Sequence, residues 1–243
     1  MKNNKKILSF VFVIIFIVLV SAFFYFGFLK NKSQQEESAV LPEINLTEKR
    51  KSFCLGDKEH PFTDLKEAQK NPESVCWLDL NNAGLGSLPG DIDKFENLVE
   101  LHASKNGLKE LPVSLGKLSR LRLLDLSNNS LSSLPENIGS LSSLVVLNLT
   151  NNQLSEIPLS IGSLSNLSEL YLNVNSLSSL PDELWTLSSL TKLDLANNKL
   201  FSAISEKISG LKNLDTLYIY KNNLPAGEGE KIKSVLKGVD IVY

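Results

Sequence analysis

The sequence predicts an α/β repeat protein, a solenoid in which each repeat supplies one short strand and one turn segment packed behind it. Three observations carry this prediction. A 23-residue period runs through the middle of the 243-residue chain, each copy opens with alternating apolar and polar residues, and an asparagine recurs at one fixed place. A fixed period of this length is the sequence signature of repeat architectures.

The period is clearest in three consecutive copies, Leu121–Ser143, Leu144–Asn166 and Leu167–Ser189. All three follow the template LxxLxLxxNxLxxLPxxIGxLxx. Such close agreement between copies predicts that each one folds as the same unit.

Within one copy, the opening alternation is typical of a strand. It directs Leu124 and Leu126 inward and Leu123 and Asp125 outward. The later Pro135 lacks an N–H and disfavours helix in the residue before it, so it begins a new segment. One unit cannot bury its own leucines, but stacked units bury them against each other in a continuous core.

This pattern resembles the leucine-rich repeat family, in its typical 23-residue class with the LPxxIGxL variant, and in a form found in bacterial membrane-anchored or exported proteins. The resemblance covers residues 75–224, about six or seven copies. It implies a leucine-rich repeat solenoid that is curved, with a parallel β-sheet on the concave face and irregular or 3-10 turns on the convex side.

One asparagine per copy is expected to have a structural role. An asparagine amide has donors and an acceptor that can satisfy main-chain groups where the chain turns off the strand. We call this set the Asn ladder; its members are Asn106, Asn129, Asn152, Asn175, Asn198 and Asn222.

The stretch before the repeats, residues 53–74, is expected to cap them. Thr63 suits the N-cap of a helix, Asp64 its first turn, and Pro72 its end. The stretch is similar to the helical N-terminal caps of bacterial leucine-rich repeat proteins. A cap is needed because the first repeat would otherwise expose its leucines.

At the other end, residues 190–213 form a copy of 24 residues that lacks the Leu-Pro step, which predicts a local bulge. Residues 225–243 then read as a C-terminal cap. It comprises a helix over 227–237, Gly238 as its C-terminal cap residue, and a last strand over 239–243, so the chain reads as complete at this end.

The N-terminal region, residues 1–30, reads as a signal anchor. Ile7–Leu29 holds 23 residues without a charge, which as a helix would span a bilayer. The flanking lysines favour a cytoplasmic N-terminus, and residues 31–52 read as a flexible linker. Cleavage of a signal peptide near Ala22 is the alternative; both interpretations place the repeats outside the cytoplasm, in the periplasm or the extracellular space.

Charge argues against a nucleic-acid partner. Residues 1–30 hold four lysines and no acidic residue, so the rest of the chain carries 21 basic and 27 acidic residues. Neutralising phosphates requires clustered Lys and Arg. We therefore expect no nucleic-acid partner.

The cysteines and histidines point to structure rather than chemistry. Cys54 and Cys76 can form a disulfide that ties the cap to the first strand, since two lone cysteines in an oxidising compartment tend to pair; two buried free thiols are the alternative. His60 and His102 fit no zinc pattern. The sequence carries no catalytic motif, so we expect no metal, no cofactor, no catalytic residue and no small-molecule substrate.

The outward strand positions are the candidate binding site. The third and fifth residues of the copies place Leu123, Val146 and Tyr171 side by side, where a solvated strand would be polar, and such apolar neighbours suggest contact with a partner. The alternative is that these residues simply suit strands. The predicted partner-binding residues are Trp77, Glu100, His102, Leu123, Asp125, Val146, Asn148, Glu169, Tyr171, Lys192, Asp194 and Tyr218.

These expectations favour a non-enzymatic protein-interaction module that is anchored in a cell envelope and binds a protein or peptide. No Lys or Arg occurs between Leu123 and Leu190, while six acidic residues do. This acidity predicts a partner with basic residues flanking apolar ones. The alternative is a structural, adhesive or self-associating envelope protein without a dedicated ligand; an enzyme is a distant third.

Overall fold

The computed structural model describes residues 61–243. Eight three-residue strands form a single parallel sheet in which spatial order follows chain order. The strands are β1 (Trp77–Asp79), β2 (Glu100–His102), β3 (Leu123–Asp125), β4 (Val146–Asn148), β5 (Glu169–Tyr171), β6 (Lys192–Asp194), β7 (Thr216–Tyr218) and β8 (Asp240–Val242).

The strand register follows the sequence period. Leu124 pairs with Leu147, and Leu147 pairs with Leu170, one 23-residue step each time. The 24-residue copy keeps the register, because Lys192 pairs with Thr216. Its extra residue is therefore absorbed outside the sheet.

Inward leucines form one continuous core. Leu124 and Leu126 are fully buried, and one apolar cluster runs from Ala68 to Leu236. Burial of one such side chain stabilises the fold by roughly 1.5–3 kcal/mol, so the leucine stack is the main source of stability in this part of the chain.

Short 3-10 helices lie behind the sheet. In four consecutive copies the helix follows the proline of the Leu-Pro step directly. Proline fixes φ and has no N–H to leave unpaired, which suits a helix start. The helices are Val113–Lys117, Glu136–Ser140, Leu159–Ser163 and Asp182–Thr186; shorter ones are Pro72–Ser74, Ile92–Lys94 and Ile208–Gly210.

Each repeat also contains one residue with a left-handed backbone conformation, directly before the position of the Asn ladder. Their φ values lie between 54° and 58°. Asparagine tolerates this region, whereas a β-branched residue there is an outlier; Val174 is such an outlier and is 41% exposed. The residues are Asn82, Lys105, Asn128, Asn151, Val174, Asn197 and Lys221.

The N-terminal end is closed by a short helix, α1 (Leu65–Ala68). The Asp64 carboxylate caps it, accepting hydrogen bonds from the N–H groups of Lys66 and Glu67 at 2.8 and 3.1 Å. The assignment of the N-cap to Thr63 was wrong, because the helix begins one residue later. Phe62 extends the sheet through a parallel bridge to Leu78.

The C-terminal end consists of α2 (Glu228–Val235) and β8. The helix is shorter than the expected 227–237, because it begins after Gly227, which lies at φ 78°. The assignment of Gly238 as its C-terminal cap residue was wrong, since the helix already ends at Val235 and Leu236 is the cap residue. Glu228 binds the irregular copy: its Oε1 accepts hydrogen bonds from the N–H groups of Ile204 and Ser205, both at 2.7 Å. The helix thus holds the loop that replaces the Leu-Pro step.

Within residues 61–243, no helix is long and apolar enough to span a bilayer. The predicted anchor over 7–29, the linker over 31–52 and the first residues of the cap lie outside the described residues.

Candidate functional site

Two parallel rows of side chains line the sheet face opposite the leucine core, which we call the outer sheet face. One row holds the third residue of each copy and the other the fifth. Equivalent residues of adjacent parallel strands are about 5 Å apart. The strand register therefore brings all twelve predicted partner-binding residues onto this one face.

Asp and Asn in the fifth-position row have a local structural role. The Oδ1 atoms of Asp79, Asp125, Asn148 and Asp194 each accept a hydrogen bond, at 3.0 Å, from the backbone N–H two residues on. Asp and Asn make this turn readily. These carboxylates and amides are therefore committed to the backbone, in addition to any role toward a partner.

Tyr171 breaks this arrangement. It occupies the fifth position, as His102 and Tyr218 do in their copies, so the N–H of Asn173, two residues on, lacks the side-chain acceptor that the four Asp and Asn copies provide. Among the described residues no other acceptor takes its place. Since an unpaired N–H costs stability, Tyr171 occupies its position at the expense of the local fold.

The side chain of Tyr171 is held firmly in place. Its hydroxyl donates to Glu169 Oε2 at 2.5 Å, and the Lys192 ammonium lies 5.1 Å from its ring centroid. The same ammonium lies 5.8 Å from the Tyr218 ring. Both distances are within cation–π range, so Lys192 joins the two tyrosines.

A second aromatic cluster lies toward β1. The rings of Trp77 and His102 are 6.3 Å apart and tilted by 55°, and His102 Nε2 lies 3.3 Å from Glu100 Oε2. Each end of the outer sheet face thus pairs aromatic rings with a carboxylate.

The apolar centre differs from the sequence expectation. Leu123, Val146 and Tyr171 were predicted to be exposed, but they are 5%, 0% and 3% exposed. Each has a neighbour on both sides at strand spacing, which covers its flanks, and Tyr171 is covered further by Lys192. The acidic rim is also more buried than predicted, since Asp125 and Asp194 are 7% and 8% exposed.

Burial raises the pKa values of three side chains in the cluster around Tyr171. It raises the pKa of Asp194 to about 6, although the Ala196 N–H and the nearby Lys192 both oppose the shift. Burial also raises the pKa values of the Tyr171 and Tyr218 hydroxyls, with contributions from nearby carboxylates. The tyrosines are therefore neutral hydrogen-bonding groups at physiological pH.

The Asn ladder binds each repeat to the preceding one. In Asn152, Oδ1 accepts from the Leu131 N–H at 3.0 Å, and Nδ2 donates to the carbonyls of Leu126 and Leu149 at 3.0 and 3.1 Å. Equivalent bonds recur at all six ladder positions. The side chains are thus internal and leave the outer sheet face to other residues.

Cys76 is disulfide-bonded. The predicted partner, Cys54, lies outside the described residues, as does His60, so the assigned pairing stays a prediction. Across residues 61–243, no group of three His, Cys, Asp or Glu side chains could hold a metal ion.

Two features of the structure were not predicted from the sequence. The tie from Glu228 to the loop at Ile204 and Ser205 joins residues 24 and 23 positions apart, outside the repeat pattern. The backbone-capping role of the fifth position could have been found, because Asp or Asn recurs there in four copies and both residue types favour such turns.

Comparisons with known proteins agree with this architecture. A family model described as a leucine-rich repeat region matches residues 113–237, about half of the chain. The chain belongs to the leucine-rich repeat family. None of the curated proteins matches the sequence.

Solved structures give the same result. A Leptospira interrogans leucine-rich repeat protein is 34% identical over 75% of this chain and 54% of its own, with a TM-score of 0.56. A Listeria monocytogenes internalin is 19% identical over 77% of this chain and 52% of its own, with a TM-score of 0.65, which shows the fold alone. The chain spans about half the length of these two proteins.

A third similar structure includes a ligand. The leucine-rich repeat ectodomain of the Arabidopsis thaliana membrane receptor kinase GASSHO1/SCHENGEN3, solved in complex with CASPARIAN STRIP INTEGRITY FACTOR 2, is 37% identical over 70% of this chain. The match covers 21% of that chain, with a TM-score of 0.61.

Proposed function

We propose that this protein is a non-enzymatic interaction module that binds a protein or peptide segment on its outer sheet face. The observation that carries the proposal is Tyr171, which occupies a position that a backbone-capping Asp or Asn would fill at lower cost. Departures from local consistency concentrate at functional sites. One similar ectodomain, that of a membrane receptor kinase, was solved in complex with CASPARIAN STRIP INTEGRITY FACTOR 2, which supports the same class of function.

The spacing of the two aromatic clusters fits an extended segment. Strands β2 and β5 are three strand steps apart, about 14 Å, which an extended peptide covers with about four residues. The outer residues of such a segment would reach the clusters at Trp77 and Tyr171, while Leu123 and Val146 between them are 5% and 0% exposed and offer little contact of their own. Central aromatic anchors tend to dominate binding energy.

The partner's flanks are proposed to be basic. The segment from Leu123 to Leu190 carries six acidic residues and no Lys or Arg, and complementary charge speeds association and suppresses wrong partners. Four of these acidic residues lie away from the rows, so their contribution is long-range and should weaken with salt.

We also propose that the repeats lie outside the cytoplasm, anchored through residues 7–29. The uncharged run of 23 residues supports an anchor, and the disulfide at Cys76 supports an oxidising compartment. Protease added to intact cells or spheroplasts should digest the repeats while the N-terminal segment stays with the membrane fraction. Full protection until lysis would overturn the topology.

Site-specific photo-crosslinking tests the binding face. A photoreactive amino acid at Thr216, half-buried beside Tyr218 in the outer rows, should capture a discrete partner in intact cells. The same amino acid at Ser163, exposed on the 3-10 side, is the matched control and should capture none. Equal capture at the two positions would contradict the assignment of the face.

A further inference from the structure

Three adjacent strands bring an aromatic–acidic–aromatic series into line on the outer sheet face. Tyr171 pairs in register with Asp194, and Asp194 pairs in register with Tyr218. Neighbouring strands are about 5 Å apart, so the two rings flank the carboxylate. We call these three residues the tyrosine clamp.

The clamp already holds a cation. Lys192 lies two residues before Asp194 on the same face, and its ammonium is 5.1 and 5.8 Å from the two ring centroids. Lys192 is the one Lys or Arg in the third- and fifth-position rows from β1 to β7. Its flexible stem lets it reach the clamp from its own strand and equally lets it leave.

One carboxylate oxygen remains available. Oδ1 of Asp194 accepts a hydrogen bond from the Ala196 N–H, while its second oxygen accepts none within residues 61–243. Glu169 adds a second carboxylate through its bond to the Tyr171 hydroxyl. With two carboxylates and one lysine, the site has a net negative charge, which favours the approach of an external cation.

We propose that the tyrosine clamp is the subsite for a cationic side chain, arginine or lysine, of the bound protein or peptide, and that Lys192 occupies it as an internal competitor in the free protein. This inference rests on the proposed binding role of the outer sheet face and specifies its chemistry. A guanidinium can stack on the rings and reach the free oxygen of Asp194 together, because it is planar and offers several donors.

Lys192 then has a defined effect on affinity. An incoming arginine must displace it, so the apparent affinity falls by the fraction of time that Lys192 occupies the clamp. Displacement also uncovers the Tyr171 ring, which is 3% exposed in the free protein. Replacing Lys192 should therefore strengthen binding of an external cation, although the replacement removes the contacts of its ammonium with the two tyrosine rings.

A small-molecule titration of the full chain tests this. The probe is N-acetyl-arginine amide at pH 8, and the uncharged control probe is N-acetyl-citrulline amide. Fluorine signals from 3-fluorotyrosine incorporated at the five tyrosines report binding; those of Tyr171 and Tyr218 are assigned with single Tyr→Phe variants. The arginine probe should shift these two signals saturably, and the citrulline probe should not.

Three variants complete the test. Lys192→Thr, which copies Thr216 of the next strand, should tighten binding of the arginine probe by about 5-fold, the worth of one exposed cation–π contact. Lys192→Arg keeps a competitor and should not tighten it. Tyr218→Leu should weaken binding of the arginine probe by about 5-fold or more. The melting temperature of this variant should be measured to confirm that it folds.

Equal responses to the two probes, or unchanged affinity in Lys192→Thr, would overturn the inference even if Tyr218→Leu failed to fold. The outcome is separable from the proposed function. Crosslinking at Thr216 without a response to the arginine probe would leave the binding face in place and remove the clamp. A response to the arginine probe without crosslinking at Thr216 would support cation binding by the clamp and contradict the proposed binding face.

Discussion

Asn152 Oδ1 lies 3.0 Å from the backbone nitrogen of Leu131, which belongs to the preceding repeat. The same amide donates to the carbonyls of Leu126 and Leu149. One buried side chain thereby satisfies main-chain groups in two repeats, and this explains why the period tolerates so little change at this position.

Asn152→Leu should reduce the free energy of unfolding by about 3 kcal/mol, because buried backbone groups lose their partners. Chemical denaturation measures the change. Ser142→Ala, at an exposed side chain in the preceding repeat, is the control and should alter stability by less than about 0.5 kcal/mol. Similar effects from the two changes would contradict the structural role of the ladder.

Gly139→Ala should destabilise the protein by about 2 kcal/mol through overpacking. A Cβ at this position would collide with the Ser160 carbonyl and lie 2.8 Å from the Ser160 Cβ, in the next repeat. Gly86→Ala is the matched control, since a Cβ there meets nothing within 4 Å. If both variants melt at the wild-type temperature, the repeats are less tightly stacked on this side than the structure indicates.

The backbone architecture could be predicted from the sequence because the period sets it. The pairing of Leu124 with Leu147 follows directly from the 23-residue step, and the inward leucines follow from the strand alternation. Features that depend on how particular side chains pack could not be predicted from the repeat period. The sequence could not show that Val146 would be fully buried, whereas the recurring Asp or Asn at the fifth position could have predicted that Asp125 binds a backbone N–H.

Departures from the period were the least predictable. The cap helix begins after Asp64 instead of Thr63 because the choice between adjacent capping residues depends on the backbone conformation. The contact from Glu228 to Ile204 depends on how the last helix packs, which no repeat constrains. The junction of Tyr171, Lys192 and Tyr218 similarly required side-chain positions.

Asp194→Asn should raise stability at neutral pH. Burial raises the Asp194 pKa from 3.8 to about 6, so the folded state binds the proton more tightly than the unfolded state. The stability that this provides is fully present below pH 3.8 and is lost as pH rises through 6. The variant, which copies the Asn148 cap, should gain about 2 kcal/mol at pH 8.

The gain should disappear near pH 4, as measured by denaturation across a pH series. A constant difference between the Asp194→Asn variant and the wild type from pH 4 to pH 8 would show that this carboxyl does not titrate with a raised pKa.

Glu228→Gln should show the opposite pH dependence. Burial raises the pKa of this carboxyl, but hydrogen bonds from the Ser205 and Ile204 N–H groups outweigh it, so the pKa lies below 4.5. Its stabilisation is present above pH 4.5 and is lost as pH falls through the lowered pKa. The variant should lose about 1 kcal/mol at pH 7, since hydrogen bonds to a charged acceptor are stronger.

Thermal unfolding at pH 7 and pH 3 tests this. Glu228→Ala, which removes the acceptor altogether, should cost more than Glu228→Gln at pH 7. If glutamine and alanine behave alike at both pH values, the tie from α2 to the irregular copy contributes little.

The central claim is that Tyr171 serves binding at a cost to the fold, and two variants at this position separate these effects. Both Tyr171→Asn and Tyr171→Ala remove the ring, but only asparagine can accept from the Asn173 N–H, as Asn148 does from Thr150. Affinity for the partner captured at Thr216 and the free energy of unfolding should be measured for each. We expect both variants to weaken binding by about 2 kcal/mol or more, and Tyr171→Asn to be about 1 kcal/mol more stable than Tyr171→Ala. Wild-type affinity in either folded variant would contradict the binding role of Tyr171.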